Sequence, residues 1–141
     1  MLSTIVVVPR NELQAISEIM EDGEKHFLGE LRDFRRNPII SEFLAETVRL
    51  GIAWVRLGPG EVLKPHGHPT RSMIIVCRGT GVLLDGVEKP LQVGDTVLVP
   101  AGYVHGFRGL EPDGVEGLSI QLEGLGLYED VQNPRVAFEK E

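Results

Sequence analysis

Hydrophobic and polar residues alternate with a period of two along most of the chain after about residue 39. The runs with this pattern are residues 48–57, 73–77, 81–84, 96–99 and 118–122. Turn-forming sequences separate them, among them Gly58-Pro59-Gly60, Asp85-Gly86 and Pro112-Asp113-Gly114. Short alternating runs divided by such turns are typical of antiparallel strands. We therefore expect an all-β sandwich or barrel.

The first forty residues have a different pattern. A β-branched apolar run at residues 4–8 predicts a strand. Asn11 followed by Gln14 resembles a helix capping box, and Asp22-Gly23 is a helix-ending signal. Apolar residues recur between them at helical spacing: Leu13, Ile16, Ile19 and Met20. The pattern predicts one amphipathic helix, followed by a shorter helical segment marked by Phe27, Leu31 and Phe34 and closed by Asn37-Pro38.

The length and net charge of the chain limit the classes of protein to which it can belong. A chain of 141 residues supports one domain, in which residues 1–38 form an N-terminal strand and helical extension. Residues 39–127 form the barrel, and residues 128–141 form a tail that packs over the outside or frays. The formal net charge of −7 repels phosphate backbones, so a nucleic-acid partner is not expected. Apolar runs are too short for a membrane span.

The chain has a single cysteine, Cys77, which excludes an intrachain disulfide and favours a reducing, cytoplasmic location. Alternation from Ser72 places Ser72, Ile74 and Val76 on one face of a strand and Cys77 on the other. We expect Cys77 to be a buried structural thiol.

Three of the four histidines lie in two short motifs. His66 and His68 are two residues apart, so on an extended backbone their imidazoles point to the same face. A third imidazole from a neighbouring strand, that of His105, would complete a metal site with open positions. An isolated pair with this spacing is more often two exposed loop histidines. The residues around the pair therefore decide between that interpretation and a metal site.

Both motifs resemble those of the cupin family. The first has Gly60, then His66-Gly67-His68 after five residues, and reaches Gly79; the second has Gly94, then Pro100-Ala101-Gly102 after five residues, and His105 after two more. The resemblance covers about residues 50–123. It implies a cupin-type antiparallel jelly-roll β-barrel in which His66, His68 and His105 hold one divalent metal ion.

One departure from the family pattern concerns the charge of the site. The glutamate that usually serves as a fourth ligand is replaced by Ser72, whose hydroxyl is a poor ligand but could hydrogen-bond a bound water or a substrate. Three neutral imidazoles leave a bound divalent ion with its full charge, so the site should prefer an anionic chelating small molecule as its substrate.

Among cupins, this arrangement is similar to the three-histidine iron dioxygenases, which act on thiol-bearing carboxylates or on β-diketones as enolates. The resemblance implies a small oxygenase with Fe(II), while Zn, Mn, Ni or Cu stay open. Two other classes stay open as well. One is an isomerase, decarboxylase or lyase that acts on a sugar or keto acid, and the other is a non-catalytic ligand-binding or sensor protein.

Other residues are candidates for contact with a substrate. Ser72, Ile74 and Val76 should line the pocket if Ser72 faces the metal. Trp54 and Arg56 share one face of the strand before the first motif, and an arginine can pair with a substrate carboxylate. Tyr103 can act as a proton donor or as an aromatic plug at the barrel mouth. The fourth histidine, His26, lies outside both motifs and is expected to be a surface or packing residue.

The apolar run at residues 4–8 also predicts a homodimer. Such a strand needs a partner, and a small barrel closed by its own strands offers no obvious place for it. Pairing across a two-fold axis would provide one. The alternative is that the run folds back onto its own sheet as an extra edge strand.

Overall fold

The computed structural model describes residues 4–44, 49–122 and 137–138. Its strands are β1 (Ile16–Glu21), β2 (Glu24–Asp33), β3 (Gly51–Leu57), β4 (Val62–Gly67), β5 (Ser72–Asp85), β6 (Val87–Gln92), β7 (Thr96–Val99), β8 (His105–Gly109), β9 (Val115–Gln121) and β10 (Ala137–Phe138). One helix, α1 (Pro38–Leu44), and two 3₁₀ turns, Arg10–Glu12 and Phe34–Arg36, complete the described elements. The predicted all-β class is confirmed. None of the described helices is long and apolar enough to cross a membrane.

The strands form a curled antiparallel sheet in the order β1-β2-β3-β9-β5-β8-β4-β10, and β6 and β7 also pair with β5. The long strand β5 connects the two walls of the barrel. Its first part pairs with β7 and β9, and its last part pairs with β6 and β8. Gly79 lies where β5 changes from one pair of partner strands to the other, and it has a positive φ of 76°. A Cβ atom there would collide with the carbonyl oxygen of Gly114, so only glycine fits.

The predicted helix between Asn11 and Gly23 is wrong. Ile16–Glu21 is strand β1, and Asp22-Gly23 forms the two-residue turn of a hairpin with β2, in which both residues have positive φ. The register shifts between Ile16 and Glu18, so that Ile16 and Ile19 both pack on the core although they are three residues apart. This irregularity produced the apolar spacing that resembles a helix.

The second predicted helical segment is also wrong, because Phe27 and Leu31 lie in strand β2. Gly29 interrupts the alternation of β2 with a φ of +75°, and the buried residues on either side of it, Leu28 and Leu31, are again three positions apart. Only Phe34 lies in a helical turn, the 3₁₀ turn Phe34–Arg36.

The pair Asn37-Pro38 begins a helix and does not end one. The Asn37 side chain accepts hydrogen bonds from the backbone N–H groups of Ile39 and Ile40, at 3.0 and 3.1 Å. Pro38 occupies the first helical position. A backbone N–H at this position has no acceptor within the helix, so the N–H that proline lacks is not needed. Helix α1 thus starts where the sequence pattern indicated the start of the barrel.

Residues 4–8 form no strand in the described structure, so neither the predicted strand nor the alternative of an added edge strand on the same sheet is seen. Ile5 is 97% exposed and Val7 is 82% exposed. The chain is anchored directly after this segment, because the Arg10 guanidinium lies 4.0 Å from the centre of the Trp54 ring and 2.6 Å from a Glu116 oxygen. The apolar segment therefore projects from a fixed point.

We propose that the chain forms a homodimer through residues 4–8, since two exposed apolar side chains next to a fixed anchor gain from burial against a second copy. The double substitution Ile5→Asp and Val7→Asp should shift the dimer towards monomer by at least tenfold in dissociation constant. Sedimentation velocity at micromolar concentrations measures this shift.

The matched control is Val87→Asp with Val93→Asp, which adds the same charge at two valines that are 61% and 60% exposed in the β6 region. A wild-type protein that sediments as a monomer contradicts the expectation. Equal weakening of association by both double variants would also contradict it, because general charge repulsion would then be the cause.

Candidate metal centre

Strand pairing brings the three histidines together. His66 on β4 and His105 at the start of β8 are direct partners in the antiparallel ladder, and their ring centroids are 4.6 Å apart. His68 follows β4 two residues after His66, so its imidazole points to the same side. Its ring centroid lies 5.1 Å from that of His105. Two motifs far apart in the sequence thus meet at one point.

Each of the three imidazoles is held by a backbone carbonyl close to it in the sequence. The Nδ1 atom of His66 lies 2.8 Å from the Lys64 oxygen, that of His68 lies 3.1 Å from the Thr70 oxygen, and that of His105 lies 3.0 Å from the Tyr103 oxygen. A carbonyl only accepts, so each Nδ1 carries the proton and donates it. The Nε2 atoms are left with their lone pairs free, which is how histidines that bind metals are usually oriented.

The barrel keeps these imidazoles neutral. All three side chains are buried, and burial lowers the pKa of His66 to about 3 and that of His68 to about 4. The neighbouring His105 contributes to both of these lowered pKa values, because two adjacent positive charges repel each other. Burial also lowers the pKa of His105. At neutral pH the cluster therefore presents three unprotonated nitrogens.

This donor set fits a divalent transition metal ion. One ligand atom from each of His66, His68 and His105 lies within 4.8 Å of the others. That group contains no carboxylate from the part of the chain that the structure describes. Three neutral imidazoles with room for further ligands suit zinc, iron, copper and nickel. The predicted ligand set is thus brought together, and the identity of the metal is left open.

The histidines line a cavity of about 70 Å³. Its lining is mostly apolar and comes from strands on both walls of the barrel: Leu31, Ile52, Ala53, Val55, Leu57, Leu63, Ile74, Val76, Leu91, Phe107 and Val115. Ile74 and Val76 therefore lie where the alternation predicted. Ser72 lies on the same face of β5, just outside this lining, and its buried Oγ has no hydrogen-bond partner among the described residues.

Sequence reasoning missed a polar group in the cavity wall. The Thr70 hydroxyl donates to the Gln121 Oε1 at 2.9 Å, and the Gln121 Nε2 donates to the Ser119 Oγ at 3.1 Å. Ser119 and Gln121 both line the cavity. Both belong to a run that was identified only as a strand, and alternation alone does not tell which of its two faces turns inward.

Asp33 is a second polar residue that the sequence did not reveal. Its side chain is buried and lines the cavity at the end of β2. Its carboxylate accepts the backbone N–H of Arg35 at 2.9 Å, which caps the 3₁₀ turn Phe34–Arg36. The only sequence signal was an acidic residue just before a short helical turn, which is common without any function.

Three residues expected to contact a substrate lie elsewhere. Trp54 and Arg56 are on the outer face of β3, because their neighbours Ala53 and Val55 face the cavity. Trp54 instead packs under the Arg10 guanidinium. The Tyr103 side chain is 63% exposed, and only its backbone carbonyl serves the site, through His105. These three side chains therefore do not line the cavity.

The single cysteine also differs from expectation. Cys77 faces away from Ile74 and Val76, as the alternation indicated, but it is exposed and not a buried structural thiol. The register of β5 against β9 shifts between Val76 and Arg78, which places Cys77 in an irregular part of the strand.

The C-terminal strand supports the metal centre from outside. Phe138 on β10 pairs with His66 in the ladder, and its ring centroid lies 5.2 Å from that of His66. The Phe138 ring also stacks on His26, with the ring centroids 4.1 Å apart, so His26 is a buried packing residue. The predicted tail at residues 128–141 lies outside the described residues except for this strand, which packs directly against the barrel.

We predict that replacing His66, His68 or His105 by alanine weakens metal binding at least hundredfold, which is more than the loss of a group that merely orients a ligand. Co(II) titration followed by visible absorption, together with elemental analysis, measures the affinity. The control is His26→Gln, another buried histidine, which should keep wild-type metal affinity. Full occupancy in any two of the three alanine variants would contradict this assignment.

The comparisons with known proteins agree with this geometry. The family model of the cupin domain matches residues 53–120. The polyketide cyclase RemF from Streptomyces resistomycificus is 18% identical, with a TM-score of 0.65 over 98% of this chain and 87% of that one. A predicted oxalate decarboxylase from Thermotoga maritima is 19% identical, with a TM-score of 0.62 over 84% of this chain and 99% of that one.

A cupin-like protein from Thermotoga maritima is also similar, at 22% identity and a TM-score of 0.60 over 91% of this chain and 87% of that one. No curated protein sequence matches. Identities this low show a shared fold and do not transfer an activity. The matched residues include β4 and β8, which bring the three histidines together. Residues 53–120 therefore form a cupin domain.

Proposed function

We propose that this cupin is a mononuclear Fe(II)-dependent oxygenase that acts on an anionic, chelating small molecule. The observation that carries the proposal is the ligand set, which consists of three buried, neutral imidazoles with no carboxylate among them. Such a set adds no negative charge to a divalent ion. An anionic substrate can then provide the charge that the protein does not.

The protein's own residues perform three tasks in this proposal. The carbonyls of Lys64, Thr70 and Tyr103 orient the imidazoles and keep their Nε2 atoms unprotonated. The apolar walls of the cavity lower the polarity around the histidines, which strengthens the attraction between a cation and an anionic ligand. The polar group of Ser119 and Gln121 provides hydrogen bonds to the bound molecule. When bound, Fe(II) would react with oxygen and supply the redox chemistry. None of the described side chains that line the cavity can provide such chemistry.

The second candidate function is an enzyme that uses the metal as a Lewis acid, for isomerisation, decarboxylation or lyase cleavage. The same three neutral nitrogens favour it, because three histidines with an open position also form a common catalytic zinc site. One similar structure is named a polyketide cyclase and another a predicted oxalate decarboxylase, and the second name is that of a decarboxylase. Under this alternative the metal polarises a substrate oxygen and takes no part in electron transfer.

We predict that Fe(II)-reconstituted protein consumes oxygen when a chelating anion is added. The compounds to test are 2,4-pentanedione, whose enolate binds through two oxygens, and 3-mercaptopropionate, which offers a thiolate and a carboxylate. An oxygen electrode should record uptake at least tenfold above that of free Fe(II) with the same compound. The Zn(II)-loaded protein and the Fe(II)-treated His105→Ala variant are the controls and should show only background uptake.

Elemental analysis of protein purified without added metal accompanies this experiment. Iron in the purified protein together with oxygen uptake would support the oxygenase. Fully iron-loaded protein that binds both compounds without oxygen uptake contradicts the proposal, and zinc as the resident metal then points to the Lewis-acid alternative.

A second prediction concerns the carboxylate that the ligand group lacks. Ser72→Glu should place a carboxylate at the edge of the cavity, tighten metal binding and weaken azide or oxalate binding by at least tenfold. The reason is that a unit charge about 4 Å away contributes on the order of 4 kcal/mol at an effective dielectric constant of about 20. Azide titration of the Co(II) protein by visible absorption measures the change.

The matched control is Ser72→Gln, which adds nearly the same volume without charge. It should keep azide affinity within about threefold of the wild type. If both variants weaken azide binding equally, crowding is the cause and the electrostatic argument fails.

A further inference from the structure

The inner face of one cavity wall is divided into a polar and an apolar end. Strands β3, β9 and β5 lie side by side, and residues paired across them form rows that run around the barrel. The first row contains Gly51, Gln121 and Ser72. The next row contains Asp33, Ala53, Ser119 and Ile74. Most of the side chains in these two rows are therefore polar.

The following rows of the same wall contain no polar side chain. The third row contains Leu31, Val55, Gly117 and Val76, and the fourth contains Leu57 and Val115. All six of these residues line the cavity. The change from polar to apolar residues occurs between the second and third rows. The composition of this wall therefore changes along the direction of the strands.

The opposite wall shows the same division. His66 and His105 form one pair of the β4–β8 ladder, and Leu63 and Phe107 form the next inward-facing pair. The two polar ends lie together, because the His68 imidazole bonds to the Thr70 carbonyl while the Thr70 hydroxyl bonds to Gln121. The metal ligands and the polar rows therefore share one end of the barrel.

From this division we propose that the cavity takes an amphipathic substrate. Its oxygen- or sulfur-bearing chelating head lies at the histidine end, and a short aliphatic or aromatic tail extends towards Leu57, Phe107 and Val115. The inference rests on the proposed metal-dependent function and names its substrate class. A wholly polar substrate, such as a small dicarboxylate or a sugar, leaves the apolar rows without a partner of matching chemistry.

Gln121 is the residue that we assign to recognition of the head. It is buried, its side chain is held between Thr70 and Ser119, and it lines the cavity at the histidine end. A side chain fixed at both ends of its amide presents its remaining hydrogen-bonding capacity in one direction. Ser72 pairs with Gln121 in the β5–β9 ladder, and its hydroxyl, which has no hydrogen-bond partner among the described residues, offers a further donor at the same end.

The test uses Co(II)-loaded protein and a series of straight-chain hydroxamates, from acetohydroxamate to hexanohydroxamate. All of these compounds chelate metal through the same head and differ only in tail length. Binding is followed by the visible absorption of Co(II), so no activity is needed. Affinity should rise about threefold to fourfold for each added methylene until the tail fills the cavity.

Two variants separate the tail from the head. Val55→Phe fills the apolar end and should abolish the gain with chain length while leaving acetohydroxamate affinity within about threefold. Gln121→Leu should lower the affinity of every member by about tenfold and leave the gain per methylene unchanged. Leu98→Phe, at a 69% exposed site on β7, is the control for a new aromatic ring and should change neither quantity.

The outcomes distinguish this inference from the proposed function. Protein that fails to bind Co(II) or any hydroxamate refutes the metal centre itself. Protein that binds Co(II) and acetohydroxamate but shows no gain with chain length refutes the amphipathic substrate alone. A gain that persists in Val55→Phe places the tail outside the apolar end, and this too overturns the inference. A changed gain per methylene in Gln121→Leu overturns the assignment of Gln121 to the head.

Discussion

Three backbone carbonyls determine what the barrel interior can do. The oxygens of Lys64, Thr70 and Tyr103 each accept the Nδ1 proton of a histidine two residues away. Without them an imidazole can rotate or change tautomer, and its lone pair then need not point at its neighbours. With them, burial of three neutral rings costs little because each keeps one hydrogen bond. The three imidazoles are therefore preorganised for binding a cation.

This arrangement depends on the pairing of β4 with β8. A shift of one residue in that ladder would turn either His66 or His105 to the outside, because side chains alternate across a strand. Packing on both sides opposes such a shift. Phe107 and Leu63 pair below the histidines, and Phe138 covers His66 from β10. The hydrophobic core thus stabilises the register that brings the histidines together.

Much of the barrel and the ligand set could be predicted because both are encoded locally. A period of two predicts strands, and His66 and His68 share a face whatever the surrounding fold is. The N-terminal region could not be predicted in this way, since one irregularity in the β1–β2 pairing, between Ile16 and Glu18 and opposite the segment that contains Gly29, replaces the period of two with a spacing of three. The pair Asp22-Gly23 ends a helix or turns a hairpin equally well by composition, and only pairing with β2 decides.

The polar residues of the cavity are harder to predict for a different reason. Asp33, Ser119 and Gln121 come from two strands that are not neighbours in the sequence, and they approach one another only through their pairing with β3. Which face of β9 turns inward is fixed by its partners on both sides, so no pattern within the strand reveals it. The three histidines can be found from a motif, whereas the other polar residues that line the cavity depend on the register of the whole sheet. The chemical character of the cavity must therefore be inferred from the rows across the barrel wall.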